Sequence, residues 1–348
     1  MKLGIIGLPQ SGKSTVFSAL AGARGEAPHQ KGGRSDQRIG TVRVADDRVD
    51  ALSALYRPKK TTYAQVEYLL PSISTGTASS APESALWNQV RPCDALIHVV
   101  RNFKGTMGVA PTPGKDFTLL EEEMIINDLA VVEKKIERME LDAKRGKKTE
   151  EETRELIFAC RAQLEENRPL REDPGLASSP VLRGFTFLSA KPQLLILNND
   201  DEDESFPEGF DPPARLETLL VRGSLEKEIA QLSAEEAEEF MTAYHIETSA
   251  LDRVIRSSYE LLNLISFFTV GEDEVKAWTI PRGTPALEAA GVIHSDIQQG
   301  FIRAEVIGFG ELERLGTYQE AKKSGQLRLE GKEYVVQDGD IVHFRFNV

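Results

Sequence analysis

The sequence predicts an α/β protein with a parallel sheet, an inserted helical hairpin and a small C-terminal α+β module. Apolar runs typical of buried strands alternate with helical patterns in the first region, which favours a parallel sheet. A charged segment in the middle carries a heptad repeat of apolar residues, which indicates two packed helices. Short strand patterns around one helix follow from about Ser266. A chain of 348 residues has the length expected for two or three such domains.

The first predicted strand, Leu3–Ile6, leads into a glycine-rich segment with the pattern G-x-x-x-x-G-K-[ST]. The pattern is filled by Gly7, Gly12, Lys13 and Ser14, and a helix is predicted over Thr15–Ala21. Glycines let successive N–H groups point into one concavity that binds anionic oxygens, and the helix N-terminus adds partial positive charge. In such a loop Lys13 reaches the β- and γ-phosphates, and the Ser14 hydroxyl ligates Mg²⁺.

The alternative is a glycine turn with a chance lysine, but the flanking strand and helix argue against it. We therefore predict a nucleotide-binding loop that consists of Pro9, Gln10, Ser11, Gly12, Lys13, Ser14 and Thr15. Three further apolar runs, Val66–Leu70, Ala95–Val100 and Gln193–Asn198, are predicted as strands of the same sheet. The polar segments 24–38 and 71–84 are predicted as loops.

Residues 118–182 are predicted to form the antiparallel helical hairpin. The heptad seam consists of Ile125, Leu129, Val132, Ile136 and Met139, and Ile157, Cys160 and Leu164 continue it on a second helix. Between the helices lies a basic turn, Lys144, Arg145, Gly146, Lys147 and Lys148. This tip is either a solvated turn or a contact with RNA or an acidic partner, and the sequence leaves both interpretations open.

The C-terminal region contains four predicted strands and one predicted helix. The strands are Val275–Ile280, Phe301–Ile307, Glu333–Val336 and Ile341–Phe346, the helix is Pro285–Ala290, and Asp338–Asp340 is a turn.

Composition excludes several classes of function. The net charge of −13 disfavours nucleic-acid binding except through a local basic patch. The two cysteines and five histidines have no metal-ligand spacing, so no metal site made of protein side chains alone is predicted. A signal-peptide core and an apolar run long enough to span a bilayer are both missing, which predicts a cytoplasmic protein with no membrane partner.

Along its whole length the chain resembles the YchF family of Obg-like ATPases, in the translation-factor class of P-loop NTPases. The resemblance is strongest at residues 271–306 and 330–348, which are similar to the family's TGS domain, a ubiquitin-like β-grasp module, and residues 251–264 match the preceding helix. It implies a G-domain-like nucleotide-binding domain at 1–117 and 183–265, a coiled-coil hairpin at 118–182 and a TGS domain at 266–348. It also implies ribosome association, Mg²⁺ as cofactor, and ATP in preference to GTP.

The resemblance assigns two further nucleotide contacts. In the base-reading motif, Asn198 holds the loop and touches the base edge, and Asp201 stands where the family has Glu. An aspartate there can pair with the N–H groups of guanine, which leaves ATP and GTP both open; a solvated acidic loop is the alternative reading. By position, Gly223 and Ser224 match the last base-contacting motif and offer backbone and hydroxyl donors, whereas Ser189-Ala190-Lys191 and Ser249-Ala250 do not fit it.

Residues of the family's hydrolytic machinery are missing. Leu70 falls where the family has the Asp that holds Mg²⁺, and Ile73 where it has the Gly that senses the γ-phosphate. Arg34, with Ser35 beside it, replaces the switch threonine, and residues 102–118 contain no counterpart of the catalytic histidine, since His98 lies inside a strand. Loss of one electrostatic element commonly costs a factor on the order of 10²–10³ in rate.

The sequence therefore predicts a purine-nucleotide-binding protein with weak or absent intrinsic hydrolysis, in which no catalytic residue is assigned. We expect a monomer that associates with ribosomes or RNA. The alternative is a non-hydrolysing ribosome- or RNA-binding module with a relic nucleotide site.

Overall fold

The computed structural model describes residues 1–24, 29–30, 37–72, 84–105, 108–147, 150–244, 246 and 249–347. Contacts divide the chain into two compact units, unit 1 with Met1–Val42 and Glu67–Val254, and unit 2 with Arg43–Val66 and Ile255–Val348. Residues 43–66, which the sequence analysis assigned to the nucleotide-binding domain, are thus grouped with the C-terminal residues.

Unit 1 is built on a seven-stranded sheet. Its strands are β1 (Lys2–Ile6), β2 (His29–Gln30), β3 (Arg38–Arg43), β5 (Gln65–Leu70), β6 (Ala95–Asn102), β7 (Gln193–Asn199) and β8 (Thr218–Val221), in the order β2-β3-β5-β1-β6-β7-β8. The strands from β5 to β8 pair in parallel, as predicted. Because β6 and β7 are buried on both faces, they read as continuous apolar runs rather than as alternating patterns.

Unit 1 also contains helices, two of which form the predicted hairpin. The helices are α1 (Lys13–Arg24), α3 (Ser84–Val90), α4 (Pro113–Lys144), α5 (Glu151–Glu165), α6 (Pro174–Ala177), α7 (Gly223–Ile229) and α8 (Ala234–Ala243), with 3₁₀ turns at Leu170–Glu172 and Arg183–Phe185. The hairpin consists of α4 and α5. Helix α9 (Ala250–Leu261) begins in unit 1 and continues into unit 2. The seam residues of α4 and α5 pack together in one apolar cluster. Most of the predicted loops 24–38 and 71–84 lies outside the described residues.

A buried polar network fastens the root of the hairpin to the sheet. Asp128 of α4 is fully buried and accepts hydrogen bonds from the Ser189 N–H (2.7 Å) and hydroxyl (2.8 Å). Two helical turns before Asp128, the Glu121 carboxylate accepts hydrogen bonds from Gln193 Nε2 (2.9 Å) and from Arg171. Buried carboxylates need such partners, and Ser189 therefore serves this anchor rather than a nucleotide.

Unit 2 contains a six-stranded sheet in the order β12-β11-β13-β9-β10-β4. Its strands are β4 (Lys60–Thr62), β9 (Leu264–Thr269), β10 (Glu274–Pro281), β11 (Phe301–Gly308), β12 (Arg328–Glu330) and β13 (Asp340–Phe346). Its helices are α2 (Asp47–Tyr56), α10 (Ala286–Ile293), α11 (Ser295–Gln299), α12 (Phe309–Leu315) and α13 (Tyr318–Lys323). The apolar face of α10 packs on one face of the sheet.

One predicted strand of this unit is wrong. Glu333 ends a turn, Tyr334 and Val336 are irregular, and Val335 makes an isolated bridge to Pro285. The edge strand is Arg328–Glu330 instead, paired antiparallel with β11. In the described residues no helix is both long and apolar enough to cross a bilayer.

Candidate nucleotide-binding site

The loop between β1 and α1 has the backbone conformation of a tight glycine loop. Gly7 (φ 152°) and Gly12 (φ 90°) occupy the left-handed half of conformational space, as does Gln10 (φ 63°). A Cβ on Gly7 would lie 2.3 Å from the Val99 carbonyl oxygen, so no larger residue fits there. The sequence puts glycine where the chain must both turn and approach a neighbouring strand.

Lys13 begins α1 and folds back over this loop. Its Nζ donates to the carbonyl oxygens of Gly7 (2.7 Å) and Leu8 (2.6 Å), and the side chain is buried. Burial lowers the pKa of Lys13 from its ordinary value to about 8, because desolvation disfavours the charged form. The ammonium group is held at the loop and is still mostly protonated at neutral pH.

The other loop residues differ in exposure. Pro9, Gln10 and Ser14 are exposed and Thr15 is partly buried, whereas the Ser11 hydroxyl is buried with no hydrogen-bond partner in the described part of the chain. The Thr15 and Val16 N–H groups already bond to the Gly12 carbonyl (both 2.9 Å). An unpartnered hydroxyl, a lysine and a helix N-terminus fit an anionic phosphate group, and the exposed Ser14 hydroxyl is free to face a metal ion.

The Asn198 side chain links the β1–α1 loop to the residues that follow β8. Its Nδ2 donates to the Ser11 carbonyl (3.1 Å), 187 positions away, and its Oδ1 accepts the Gly223 N–H (3.0 Å). A Cβ on Gly12 would lie 2.0 Å from Asn198 Nδ2, and one on Gly223 would lie 2.7 Å from Oδ1. Both glycines are therefore required by the close approach of one buried asparagine.

Asp201 and the residues after β8 form the far side of the site. Asp201 is exposed, and its Oδ1 accepts the Leu225 N–H (3.0 Å) in the first turn of α7. The Gly223 N–H, expected as a nucleotide donor, is bonded to Asn198, while Ser224 is exposed. The structure thus brings Asn198 and Gly223 to the loop; base recognition by Asp201, Gly223 and Ser224 stays a prediction.

Two asparagines that the sequence analysis missed shape the loop after β7. Asn102 Nδ2 donates to Asn199 Oδ1 (2.9 Å), and both side chains are buried. Asn199 Nδ2 then donates to the carbonyls of Asp203 (3.0 Å) and Ser205 (2.9 Å), which folds the acidic loop. For Asn199 the sequence signal was the consecutive pair Asn198-Asn199 at the end of an apolar strand.

The end of β5 is apolar, unlike the β1–α1 loop beside it. Leu70 is buried at the last position of the strand and carries no metal-ligating atom. Two residues after Leu70, Ser72 forms two backbone hydrogen bonds with the Gln89 side chain of α3 (2.9 and 3.3 Å). Ile73, Arg34 and Ser35 lie outside the described residues.

His98 is a core residue. Its ring is fully buried, stacks on Phe117 (centroids 5.4 Å apart) and contacts Gln193 through Nδ1 (3.0 Å). Burial, with the nearby positive charges, lowers the pKa of His98 to about 3, so the ring is neutral. Within the described ranges, no group of His, Cys, Asp and Glu side chains is arranged to hold a metal ion.

Comparison with known proteins places this geometry in a family. A family model named YchF-GTPase_C, described as a protein of unknown function (DUF933), matches residues 264–347. The chain is 36% identical to the "Ribosome-binding ATPase YchF" of Bacillus subtilis, covering 99% of both chains. It is 37% identical to the protein of the same name from Pasteurella multocida, over 100% of this chain and 99% of the other.

A solved structure gives the same result. The YchF GTPase of Schizosaccharomyces pombe superimposes with a TM-score of 0.83 at 28% identity, covering 99% of this chain and 97% of that one. The α/β fold expected from the sequence, with its G-domain-like sheet, is therefore confirmed. With full-length relatives above one-third identity, this chain belongs to the YchF family.

Proposed function

We propose that the protein binds purine nucleotides at the β1–α1 loop, associates with ribosomes, and hydrolyses nucleotide weakly or not at all. The observation that carries the proposal is the Asn198 bridge, which fixes the glycine loop around Lys13. A loop that is already folded loses little conformational entropy when phosphate binds. The family names of its relatives, which are ribosome-binding ATPases, support both the nucleotide and the ribosome.

Weak hydrolysis is argued from Leu70. Phosphoryl transfer depends on positioning and on metal-assisted neutralisation of charge. Ser14 supplies one hydroxyl ligand for Mg²⁺, but Leu70 supplies none at the strand end where the family has an aspartate. Mg²⁺ would then be held by Ser14 without a protein carboxylate. ATP and ADP would have similar affinities because Ile73 stands where the family has the glycine that senses the γ-phosphate.

Ribosome association is argued from the tip of the hairpin. Lys144, Arg145 and Lys147 are exposed between α4 and α5, whereas Lys148 lies outside the described residues. Cations at the end of a long helical pair release counterions when they meet RNA phosphates. Such a patch permits ribosome binding despite the net charge of −13 and implies a cytoplasmic location.

A second candidate is a non-hydrolysing ribosome- or RNA-binding module with a relic nucleotide site. Two contacts favour it: the Lys13 ammonium already binds the loop's own carbonyls, and the Gly223 N–H already binds Asn198. In this case Lys13 and Gly223 already have protein partners, and no nucleotide is needed to satisfy them.

Calorimetric titration with ATP, ADP, GTP and GDP, each with Mg²⁺, separates the two candidates. We expect micromolar binding, with ATP and ADP within about threefold of each other, and loss of binding in Lys13→Ala. Lys227→Ala, which removes an exposed lysine of α7, is the control and should bind as the wild type does. A large preference for ATP over ADP contradicts the weak-hydrolysis argument, and no binding by the wild type leaves the relic-site candidate. The same titrations show which base the protein prefers. We expect adenine rather than guanine, because the family resemblance implies ATP in preference to GTP.

Ribosome association is tested by co-sedimentation. Replacing Lys144, Arg145 and Lys147 with Ala should weaken it roughly tenfold and flatten its salt dependence. The control replaces Lys115, Lys134 and Arg138, exposed cations elsewhere on α4, and removes the same charge. Equal effects of the two triple variants would show that net charge, not the tip, drives the association.

A further inference from the structure

The sheet of unit 2 is open along one strand edge. β13 pairs along its length with β11, from Phe346 to Asp340. On its other side it pairs in parallel with β9 only at Ile341, opposite Phe268. The parallel register puts Thr269, the last residue of β9, beside Val342, so His343–Phe346 have no strand beside them on that side in the described part of the chain.

An open edge of this kind offers backbone hydrogen bonds to another strand. In a ladder, alternate residues direct their N–H and C=O groups to opposite sides of the strand. Alternate residues of His343–Phe346 therefore point these groups away from β11, into the gap beyond Thr269. Unpaired strand edges are templates for an additional strand.

A groove of about 810 Å³ lies at this gap. We call it the β13 groove; its lining includes Val270, Ile297, Tyr318, Lys322 and Phe346. Its volume is within the range of ligand pockets, roughly 300–1,000 Å³.

The two walls of the groove differ in polarity. Val342 and Phe344 face the apolar core under α10, against which Ile293 and Ile297 pack. Phe346 follows on the same face and is 45% exposed. On the opposite face the His343 ring meets the Tyr318 ring edge-on (6.4 Å). One wall is thus aliphatic and aromatic, and the other carries hydroxyl, imidazole and ammonium groups.

The charge on the polar wall favours a ligand with anionic side chains. The Glu305 carboxylate accepts from the Tyr318 hydroxyl (2.8 Å) and from Arg345, so its negative charge is already compensated. Lys322 is exposed and is the cation of the lining. A side chain that points to this wall finds a positive charge and hydrogen-bond donors.

We propose that the β13 groove binds an extended peptide segment of a partner protein, which adds to β13 as a strand. The alternation of side chains along a strand then defines the chemistry of the peptide. Apolar residues face Ile297 and Phe346, and acidic residues between them face Lys322.

The test uses the full-length protein and a capped heptapeptide that alternates valine and glutamate, titrated by calorimetry. We expect a Kd on the order of 10–100 μM, and weaker binding by at least about tenfold for a peptide of the same composition with valines and glutamates in separate blocks. Methylation of alternate backbone amides should abolish binding for one of the two sets and spare the other, because only one edge of the peptide pairs with β13. Equal binding of the alternating and block peptides, or equal effects of the two methylation sets, overturns the proposal.

Variants locate the peptide. Lys322→Glu should weaken binding of the valine–glutamate peptide about threefold to fivefold, as expected for an exposed ion pair, and tighten binding of a valine–lysine peptide. Lys323→Glu, its neighbour outside the groove lining, is the matched control and should change neither. Phe346→Asp should weaken binding, whereas Leu329→Asp on the exposed edge strand β12, a residue 55% exposed, should not. No binding up to about 1 mM peptide, or no difference between Lys322→Glu and Lys323→Glu, refutes the peptide as occupant.

Discussion

The ends of β1 and β5 lie at the same edge of the sheet in unit 1, yet they offer opposite chemistry. Since the two strands are parallel neighbours, their carboxyl ends point the same way. After β1 come Gly7, Gly12 and Lys13, with loop carbonyls, a buried hydroxyl and an ammonium group. At the end of β5 stands Leu70, buried and apolar.

In the function proposed above, nucleotide binding and nucleotide hydrolysis depend on separate strands. In that proposal phosphate affinity comes from backbone N–H groups, the helix N-terminus and one lysine, all within the β1–α1 segment. Metal positioning needs a carboxylate from another strand. The β1–α1 loop can therefore keep its geometry while the end of β5 carries a leucine rather than a carboxylate.

The largest effect is expected where the phosphate loop is broken directly. In Gly12→Ala the new Cβ would meet Asn198 Nδ2 at 2.0 Å, and φ 90° strains any residue with a Cβ. We expect nucleotide affinity to fall about 100-fold, or roughly 3 kcal/mol, and stability to fall by about 1–2 kcal/mol. Calorimetry and thermal unfolding measure the two losses.

The matched control is Gly22→Ala in α1. There the added Cβ would make an ordinary contact, 3.7 Å from Ala230, and alanine stabilises a helix by about 0.5–1 kcal/mol over glycine. If Gly12→Ala binds nucleotide as well as Gly22→Ala does, the close approach of Asn198 is not what shapes the site.

An intermediate effect is expected from pH. Burial lowers the pKa of Lys13 to about 8, so the free protein loses this proton above that pH, while bound phosphate favours the charged form. Nucleotide affinity should fall by about tenfold per pH unit above pH 8, until phosphate no longer holds the proton. Calorimetry from pH 7 to 9.5 measures the slope.

The same pKa shift has the opposite effect on the free energy of unfolding, which increases with pH over this range. The unfolded chain keeps the lysine proton up to a higher pH than the native protein does, so the contribution of Lys13 to stability rises between pH 8 and its ordinary pKa of 10.5. Lys13→Arg stays charged throughout this range and should remove the fall in affinity. A fall of equal slope in Lys13→Arg would assign the titration to another group.

The smallest effect is expected from restoring a carboxylate at the other strand end. In the wild type, omission of Mg²⁺ should change ATP affinity by less than about threefold, because Leu70 gives the ion no ligand. In Leu70→Asp the effect of Mg²⁺ should increase several-fold, provided the variant still unfolds cooperatively. Calorimetry with and without Mg²⁺ gives both values.

Leu70→Asn controls for the polarity and shape of the new side chain without its charge. Both variants lose a buried leucine, at a cost of about 2–5 kcal/mol, so thermal unfolding is measured alongside. A strong Mg²⁺ requirement in the wild type itself would contradict the contrast between the two strand ends.

The features that could be predicted from the amino-acid sequence are local ones. The phosphate loop occupies one continuous segment, so its glycines, lysine and flanking elements are visible together. The strands β5, β6 and β7 are visible as apolar runs, and the seam from Ile125 to Met139 as a heptad repeat, because burial of one face imposes a period on neighbouring residues.

Contacts between residues far apart in the chain are visible only in the folded protein. Asn198 binds the Ser11 carbonyl across 187 positions, and Gly223 is required because that same asparagine lies against it. Glu333–Val336 has the composition of a strand, yet β11 pairs with Arg328–Glu330 instead. Lys60–Thr62, early in the chain, extends the sheet of the C-terminal unit beside β10. Such contacts depend on how elements pack in three dimensions, and that packing leaves no period in the local sequence.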